Sequence, residues 1–256
     1  MAGSTSVRQW LAGSATRTEP LRLYCFPHGG GSVAEYLRWS GQLPGVEVWA
    51  VQLPGRGSRI DEPPVPHLEV LATTIADQVP FAEPYAFFGH SFGALLCFEV
   101  ARALRASDRA LPVRLFASGY PAPDLPLGQP PIQHLPDQDF LAEISRRHDA
   151  LPEQVLQDAD LRAAVLPGLR MDYRALEDYR FRIEPSLPFP ITAVAGADDA
   201  ISRADLDGWQ RQCEPPVSVC RLPGGHFYLH DRRDRLLRTV AAQLRAAISA
   251  KVDSQC

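Results

Sequence analysis

The sequence has few of the features that would direct it to a nucleic acid or a membrane. Its 256 residues include one lysine and carry a formal net charge of −4 without a basic cluster, so no nucleic-acid partner is expected. The N-terminus lacks the continuous apolar stretch of a signal peptide or a bilayer-spanning helix. We therefore expect neither a nucleic acid nor a membrane among its partners.

Cysteine is also scarce, and its spacing argues against a disulfide framework. The five cysteines are odd in number, include no Cys-x-x-Cys pair and are widely separated: Cys25, Cys97, Cys213, Cys220 and Cys256. Cys25 and Cys97 lie in apolar runs and are predicted to be small core residues. From this pattern we expect a reducing, cytoplasmic compartment, and neither a metal ion nor a cofactor.

Short apolar strands alternate with helical segments along most of the chain. Strands are predicted at 21–26, 46–53, 85–88, 113–119, 191–196 and 217–222. Such alternation is typical of a mostly parallel sheet that has helices on both faces. The sequence therefore predicts a single α/β domain over residues 1–256, with residues 1–20 poorly ordered.

A long segment, residues 121–190, separates two of these predicted strands. It begins with a proline-rich stretch and continues with helical patterns near 137–147, 152–157, 161–169 and 171–181. A connection of this length with its own helices is too structured to be a loop. We interpret it as a helical lid over the functional site, with an extra helical layer at the sheet edge as the alternative.

The pattern G-x-S-x-G occurs at residues 89–93, between a predicted strand and a predicted helix. A serine on a sharp strand-to-helix turn is the nucleophile elbow of the α/β-hydrolase fold. The motif therefore predicts Ser91 as a nucleophile, with His90 supporting the turn. The alternative is a glycine-rich turn whose serine has no chemical role.

A serine nucleophile needs a base, and the base needs a carboxylate to orient it. In α/β-hydrolases these partners follow the serine in the order acid, then histidine. Asp199 and His226 follow Ser91 in this order, and each comes just after a predicted strand. Asp198 is the alternative acid, and His230, already entering the terminal helix, is the alternative base.

Acyl transfer also needs backbone donors for the oxyanion. One is predicted to be the N–H of Phe92, directly after the nucleophile. The other is predicted to be the N–H of Gly29, in the glycine run that follows the first strong strand. A phosphate-binding loop is the rival interpretation of this run, but no Gly-Lys-Ser/Thr follows it.

Six stretches together resemble the type II thioesterases, the stand-alone editing hydrolases of modular polyketide and nonribosomal peptide synthases. The triad positions of that family match Ser91, Asp199 and His226. The stretches lie at residues 26–32, 51–59 (with its Q-x-P-G-R element), 88–94, 169–179, 196–199 and 222–227.

The resemblance implies hydrolysis of stalled or aberrant acyl groups from the phosphopantetheine arm of acyl or peptidyl carrier proteins. The arm is then expected to enter beneath the lid. Rival functions are a medium-chain fatty acyl thioesterase, a general carboxylesterase, a macrocyclising terminal domain, and a noncatalytic module that binds carrier proteins. A broken triad would favour the noncatalytic module, whereas all three positions are occupied here.

Overall fold

In the described part of the chain, seven strands form a central sheet, and the strands β2–β7 run parallel within it. The computed structural model describes residues 9–13, 19–148 and 157–253. The strand order is β1-β3-β2-β4-β5-β6-β7. The strands are β1 (Leu11–Gly13), β2 (Leu21–Phe26), β3 (Val46–Val51), β4 (Tyr85–His90), β5 (Leu115–Ser118), β6 (Ile191–Gly196) and β7 (Ser218–Leu222).

Helices connect and cover these strands. They are α1 (Ala34–Leu37), α2 (Leu68–Gln78), α3 (Phe92–Ala106), α4 (Asp137–His148), α5 (Ala159–Asp178), α6 (Arg203–Asp207), α7 (Tyr228–Asp231) and α8 (Arg233–Asp253). Across the ranges that the structure describes, none of the helices combines the length and apolarity needed to cross a bilayer.

Each face of the sheet is buried under its own layer of helices. Alternate side chains of β2 enter different clusters: Tyr24 packs with residues of α2 and α3, and Cys25 with residues of α1 and α8. This alternation follows from the two-residue period of a strand. The predicted α/β fold, with helices on both faces of a mostly parallel sheet, is confirmed.

The N-terminal segment contradicts one expectation. Residues 1–20 were expected to be poorly ordered, but β1 pairs antiparallel with β3 at the sheet edge. Trp10 is buried, and its Nε1 donates a hydrogen bond to Gln78 Oε1 at 2.7 Å. A strand of three residues is too short to show a periodic pattern. Its pairing partner, β3, lies far along the chain, so local sequence does not reveal the pairing. Residues 1–8 and 14–18 fall outside the described part.

Residues 121–190, which we call the insertion, connect β5 to β6. The helix predicted at 137–147 is confirmed as α4. The two helices predicted at 161–169 and 171–181 are instead one, α5, which continues through Pro167. Its Arg170 packs on Phe140 of α4, with the guanidinium 4.3 Å from the ring centroid. This contact with α4 supports α5 as one continuous helix. The periodicity of the sequence does not reveal such a contact between two helices. The helix predicted at 152–157 lies, apart from Gln157, outside the described residues.

The turn between β4 and α3 depends on direct contact between backbones. A Cβ placed on Gly89 would lie 2.1 Å from the carbonyl oxygen of Gly93. A Cβ on Gly93 would lie 2.1 Å from the carbonyl oxygen of Phe26, at the end of β2. Both glycines of the G-x-S-x-G motif are therefore required by close approach of three chain segments.

We predict that Gly93→Ala destabilises the protein by at least about 2 kcal/mol, because the added methyl group meets backbone that cannot rotate away. Gly29→Ala is the matched control, since its Cβ would lie an ordinary 3.7 Å from the nearest heavy atom, on Asp172. Chemical denaturation followed by circular dichroism measures both changes. Equal denaturation midpoints for the two variants would contradict the packing described.

Candidate active site

The elbow holds Ser91 in a backbone conformation that few residues adopt. Its φ is 54° and its ψ is −119°, and its N–H donates to the carbonyl of Ser118 at 2.8 Å. Such conformations cost on the order of 1–3 kcal/mol and persist where the surrounding packing enforces them. The turn leaves Ser91 partly exposed, directly before the first residue of α3, whose dipole favours negative charge at this end.

The loops that follow β6 and β7 bring an aspartate and a histidine together. His226 Nδ1 lies 2.8 Å from Asp199 Oδ2, and both side chains are more than nine-tenths buried. The loops are held to each other by backbone hydrogen bonds, including Asp198 N to Gly224 O at 3.0 Å. Because β6 and β7 are parallel neighbours, their carboxyl ends meet at one edge of the sheet.

The alternative acid, Asp198, and the alternative base, His230, take no part in this contact. Asp198 is adjacent to Asp199 but exposed to solvent. His230 lies on α7, where its Nε2 is 3.6 Å from Glu35. The buried contact between a carboxylate and an imidazole is therefore the one between Asp199 and His226.

Neighbouring groups keep the carboxyl group of Asp199 ionised. Burial alone would raise the pKa of the Asp199 carboxyl. The hydrogen bond and charge of His226, with a hydrogen bond from the backbone of Ile201, outweigh burial and hold the pKa below its ordinary value. An ionised carboxylate at this position accepts a proton-bearing Nδ1 and leaves Nε2 of His226 to act as a base.

The glycine loop after β2 carries three consecutive N–H groups, of which two have hydrogen-bond partners. Gly30 N donates to Asp172 Oδ2 at 2.8 Å, and Gly31 N donates to the carbonyl of His28, also at 2.8 Å. Among the residues that the structure describes, the N–H groups of Gly29 and Phe92 have no hydrogen-bond partner. These two are therefore available to a ligand.

A cavity of about 570 Å³ lies between the carboxyl edge of the sheet and the insertion. Ser91, Asp199 and His226 line it from the sheet side, together with Gly29. From the insertion, α4 and α5 contribute the opposite wall, through Ile144, His148, Val165, Leu169, Tyr173 and Leu176. One cavity is thus lined by four of the predicted site residues, which come from four separate stretches of the sequence: Gly29, Ser91, Asp199 and His226.

Two further histidines flank His226, and sequence analysis gave a role only to one of them. His90 is fully buried, with its ring centroid 5.0 Å from that of His226 and its Nδ1 2.8 Å from Ser118 Oγ. His148, at the end of α4, lies closer, with a centroid distance of 4.4 Å. No motif marks His148, because only the folding of the insertion brings it over the site.

Both flanking imidazoles are held neutral. Burial, and after it the charge of His226, lowers the pKa of His148 to about 4 and that of His90 well below its ordinary value. Neutral neighbours do not repel an imidazolium that forms on His226. In the described ranges, no group of three or more histidine, cysteine, aspartate or glutamate side chains could hold a metal ion.

The strand order, the elbow and the Asp199–His226 pair define an α/β-hydrolase fold with a hydrolase-like site. Comparison with known families narrows this class. The thioesterase domain family matches residues 21–244, and the chain belongs to that family. The chain is therefore a hydrolase that acts on thioesters.

Individual relatives are similar over nearly the whole chain. The gramicidin S biosynthesis protein GrsT of Aneurinibacillus migulanus is 35% identical, covering 97% of this chain and 98% of GrsT. The thioesterase PikA5 of Streptomyces venezuelae is 39% identical, covering 91% of this chain and 85% of PikA5. The structure of the type II thioesterase BorB, from the borrelidin biosynthetic cluster, aligns with a TM-score of 0.83 at 36% identity, over 92% of this chain and 97% of BorB. The resemblance to type II thioesterases is confirmed.

We predict that Asp199→Asn impairs hydrolysis far more than Asp198→Asn. The amide disturbs the tautomer and orientation of His226, and in serine proteases the same change lowers kcat about 10⁴-fold. The exposed Asp198 is a matched control, because the same change is made one residue away. Steady-state hydrolysis of an acyl thioester measures both variants. Greater damage from Asp198→Asn would exclude Asp199 as the orienting acid.

Proposed function

We propose that this chain is an editing thioesterase that hydrolyses stalled or aberrant acyl groups from the phosphopantetheine arm of acyl or peptidyl carrier proteins. The observation that carries this proposal is the cavity that joins Ser91 to the Asp199–His226 pair, in a chain of the thioesterase family. The relatives support the biosynthetic setting, because GrsT belongs to gramicidin S biosynthesis and BorB to the borrelidin cluster.

In the proposed mechanism, Ser91, His226 and Asp199 act as a catalytic triad. Asp199 accepts the Nδ1 proton of His226, so Nε2 can take the proton of the Ser91 hydroxyl. The serine oxygen then attacks the thioester carbonyl, the C–S bond breaks, and the thiol leaves with the proton returned by His226. Water activated by the same nitrogen cleaves the acyl-enzyme and releases the acid.

The N–H groups of Gly29 and Phe92 are the proposed oxyanion donors. The support is that both are unpaired among the described residues and that Phe92 follows the nucleophile at the start of a helix. The negative charge that develops on the carbonyl oxygen would be met by preorganised dipoles, which need little reorganisation during the reaction.

The insertion is proposed to be a helical lid within the single domain formed by residues 1–256. Its helices α4 and α5 form the wall opposite Ser91, so substrate must pass between this wall and the sheet. The cavity volume, about 570 Å³, suits a narrow pantetheine arm and a short acyl group.

The cytoplasm is the proposed compartment of this activity. The cysteines in the described part of the chain, Cys25, Cys97, Cys213 and Cys220, are all free thiols. A chain with unpaired thiols is compatible with a reducing environment, where modular synthases and their carrier proteins would also be found.

The direct test is hydrolysis of a panel of acyl carrier proteins and of oxygen esters with the same acyl groups. We expect the wild type to prefer the carrier-bound thioesters. Preference for the oxygen esters would favour a carboxylesterase, and preference for medium-length fatty acyl chains would favour a fatty acyl thioesterase.

We predict that Ser91→Ala, measured on the same panel, loses about 10⁴-fold or more in rate. Its thermal stability should change little. Near wild-type turnover by Ser91→Ala would exclude the proposed nucleophile.

The lid proposal has a separate test in hydrogen exchange. Elements that open for substrate belong to the less stable part of a fold, so α4 and α5 should exchange faster than the elbow helix α3. A nonhydrolysable acyl-pantetheine mimic should slow this exchange by filling the cavity. Protection equal to that of α3, and indifferent to the mimic, would instead support a fixed helical layer.

A further inference from the structure

Two sequence motifs that the proposed mechanism does not use meet in the structure. One is the Q-x-P-G-R element after β3, and the other is the segment 169–173 on α5 of the insertion. Arg56 Nη2 of the first donates to Asp172 Oδ1 of the second at 2.7 Å. The exposed fractions of the two side chains are 11% and 6%, so the ion pair is almost completely removed from solvent.

The same carboxylate also holds the glycine loop. Asp172 Oδ2 accepts the N–H of Gly30 at 2.8 Å, and Arg56 Nη1 approaches the carbonyl of Gly31 at 3.4 Å. The N–H of Gly30 belongs to the peptide plane that joins it to Gly29. Fixing that plane restricts the conformation of Gly29, whose own N–H is the unpaired one.

Backbone packing shows independently that α5 lies directly on both loops. A Cβ on Gly168 would lie 3.1 Å from the carbonyl oxygen of Gly55. Gly30 has a φ of +69°, and a Cβ there would lie 2.9 Å from Cδ1 of Leu169. The absence of side chains at Gly168 and Gly30 therefore lets the helix approach the loops closely enough for Asp172 to reach them.

A buried ion pair is weak evidence for stabilisation, because desolvation of the two charges offsets most of their attraction. What such a pair provides is geometry: the carboxylate has to remain where it satisfies both the guanidinium and the Gly30 N–H. Here the carboxylate is on the insertion, whereas both of its partners are on loops of the α/β body.

We propose that Asp172 is a positioning residue that makes the oxyanion donor of Gly29 dependent on the seating of α5. With α5 in place, Asp172 and Arg56 hold the glycine loop in its reactive conformation. When α5 lifts, the loop loses its anchor, and an open site becomes a poor catalyst. This inference rests on the proposed role of Gly29, and it links the position of the insertion to catalysis.

The test uses the charge-removing variant Asp172→Asn in the full chain. A carboxamide has one acceptor oxygen, so it cannot accept from both Arg56 and Gly30 with the geometry of a carboxylate. Glu47→Gln is the matched control. The Glu47 side chain is also buried, at 4% exposed, and its Oε2 accepts from Arg22 Nε at 2.9 Å, but it lies at the amino end of β3, the opposite edge of the sheet from the glycine loop.

Three measurements separate positioning from general damage: hydrolysis of an acyl N-acetylcysteamine thioester, inhibition by an alkylboronic acid that forms a tetrahedral adduct with serine, and binding of the matching thioether. For Asp172→Asn we expect kcat to fall roughly 10- to 100-fold with a small change in KM. Boronic acid affinity should fall in parallel, and thioether affinity should stay within about twofold. Glu47→Gln should keep wild-type values for all three, whatever its thermal stability.

The role of Arg56 is tested by combining variants. If Arg56 acts through Asp172, Arg56→Gln/Asp172→Asn should lose no more activity than the more impaired single variant. Losses that multiply would overturn the coupling. Wild-type boronic acid affinity in Asp172→Asn, or an equal loss in Glu47→Gln, would overturn the positioning role. A wild type that neither hydrolyses the thioester nor binds the boronic acid would instead refute the proposed function itself.

Discussion

The crossing of three backbones at the elbow is the constraint on which the site depends. The end of β4, the start of α3 and the end of β2 approach so closely that no side chain fits at Gly89 or Gly93. This packing keeps Ser91 at a positive φ and places α3 with its N-terminus at the carboxyl edge of the sheet. It also brings the loop after β2 next to the serine, since Gly93 contacts the carbonyl of Phe26. The proposed nucleophile and the loop that carries one proposed oxyanion donor are thereby positioned by a single contact.

The electrostatics of the site follow from burial around one histidine. Asp199 remains ionised because its interactions with His226 outweigh its own desolvation. Burial, and after it the charge of His226, lowers the pKa values of His90 and His148, so neither of them adds a positive charge beside the Asp199–His226 pair. Aromatic and imidazole rings thus surround His226, the proposed base, while Asp199 supplies the compensating charge. Thioesters are activated acyl groups, so a site of this kind need not stabilise a strongly basic leaving group.

The insertion contributes to the site in more than one way. It supplies the wall of the cavity opposite Ser91, it carries His148 over His226, and through Asp172 it contacts the glycine loop. Further contacts hold it to the elbow helix, where Tyr179 donates to Glu99 and where Arg102 and Arg105 donate to Glu184. The insertion has a small apolar cluster of its own, formed by Ile132, Phe140, Leu141, Ile144 and Leu169. It is therefore both a packed unit and a part of the active-site surface.

Local patterns in the sequence were sufficient for the parallel sheet, the elbow and the order of Ser91, Asp199 and His226. These features depend on hydrophobic period, glycine and chain order, all of which are local. Other features were decided only by tertiary structure. The strand β1 needs β3 as its partner, and the continuous helix α5 is supported by contacts with α4. The choice between two adjacent carboxylates depends on which of them reaches His226. The contacts of His148 with His226 and of Asp172 with Arg56 and Gly30 join residues far apart in the chain. Such contacts leave no periodic signal, because their energy comes from burial and charge pairing that exist only after the chain has folded.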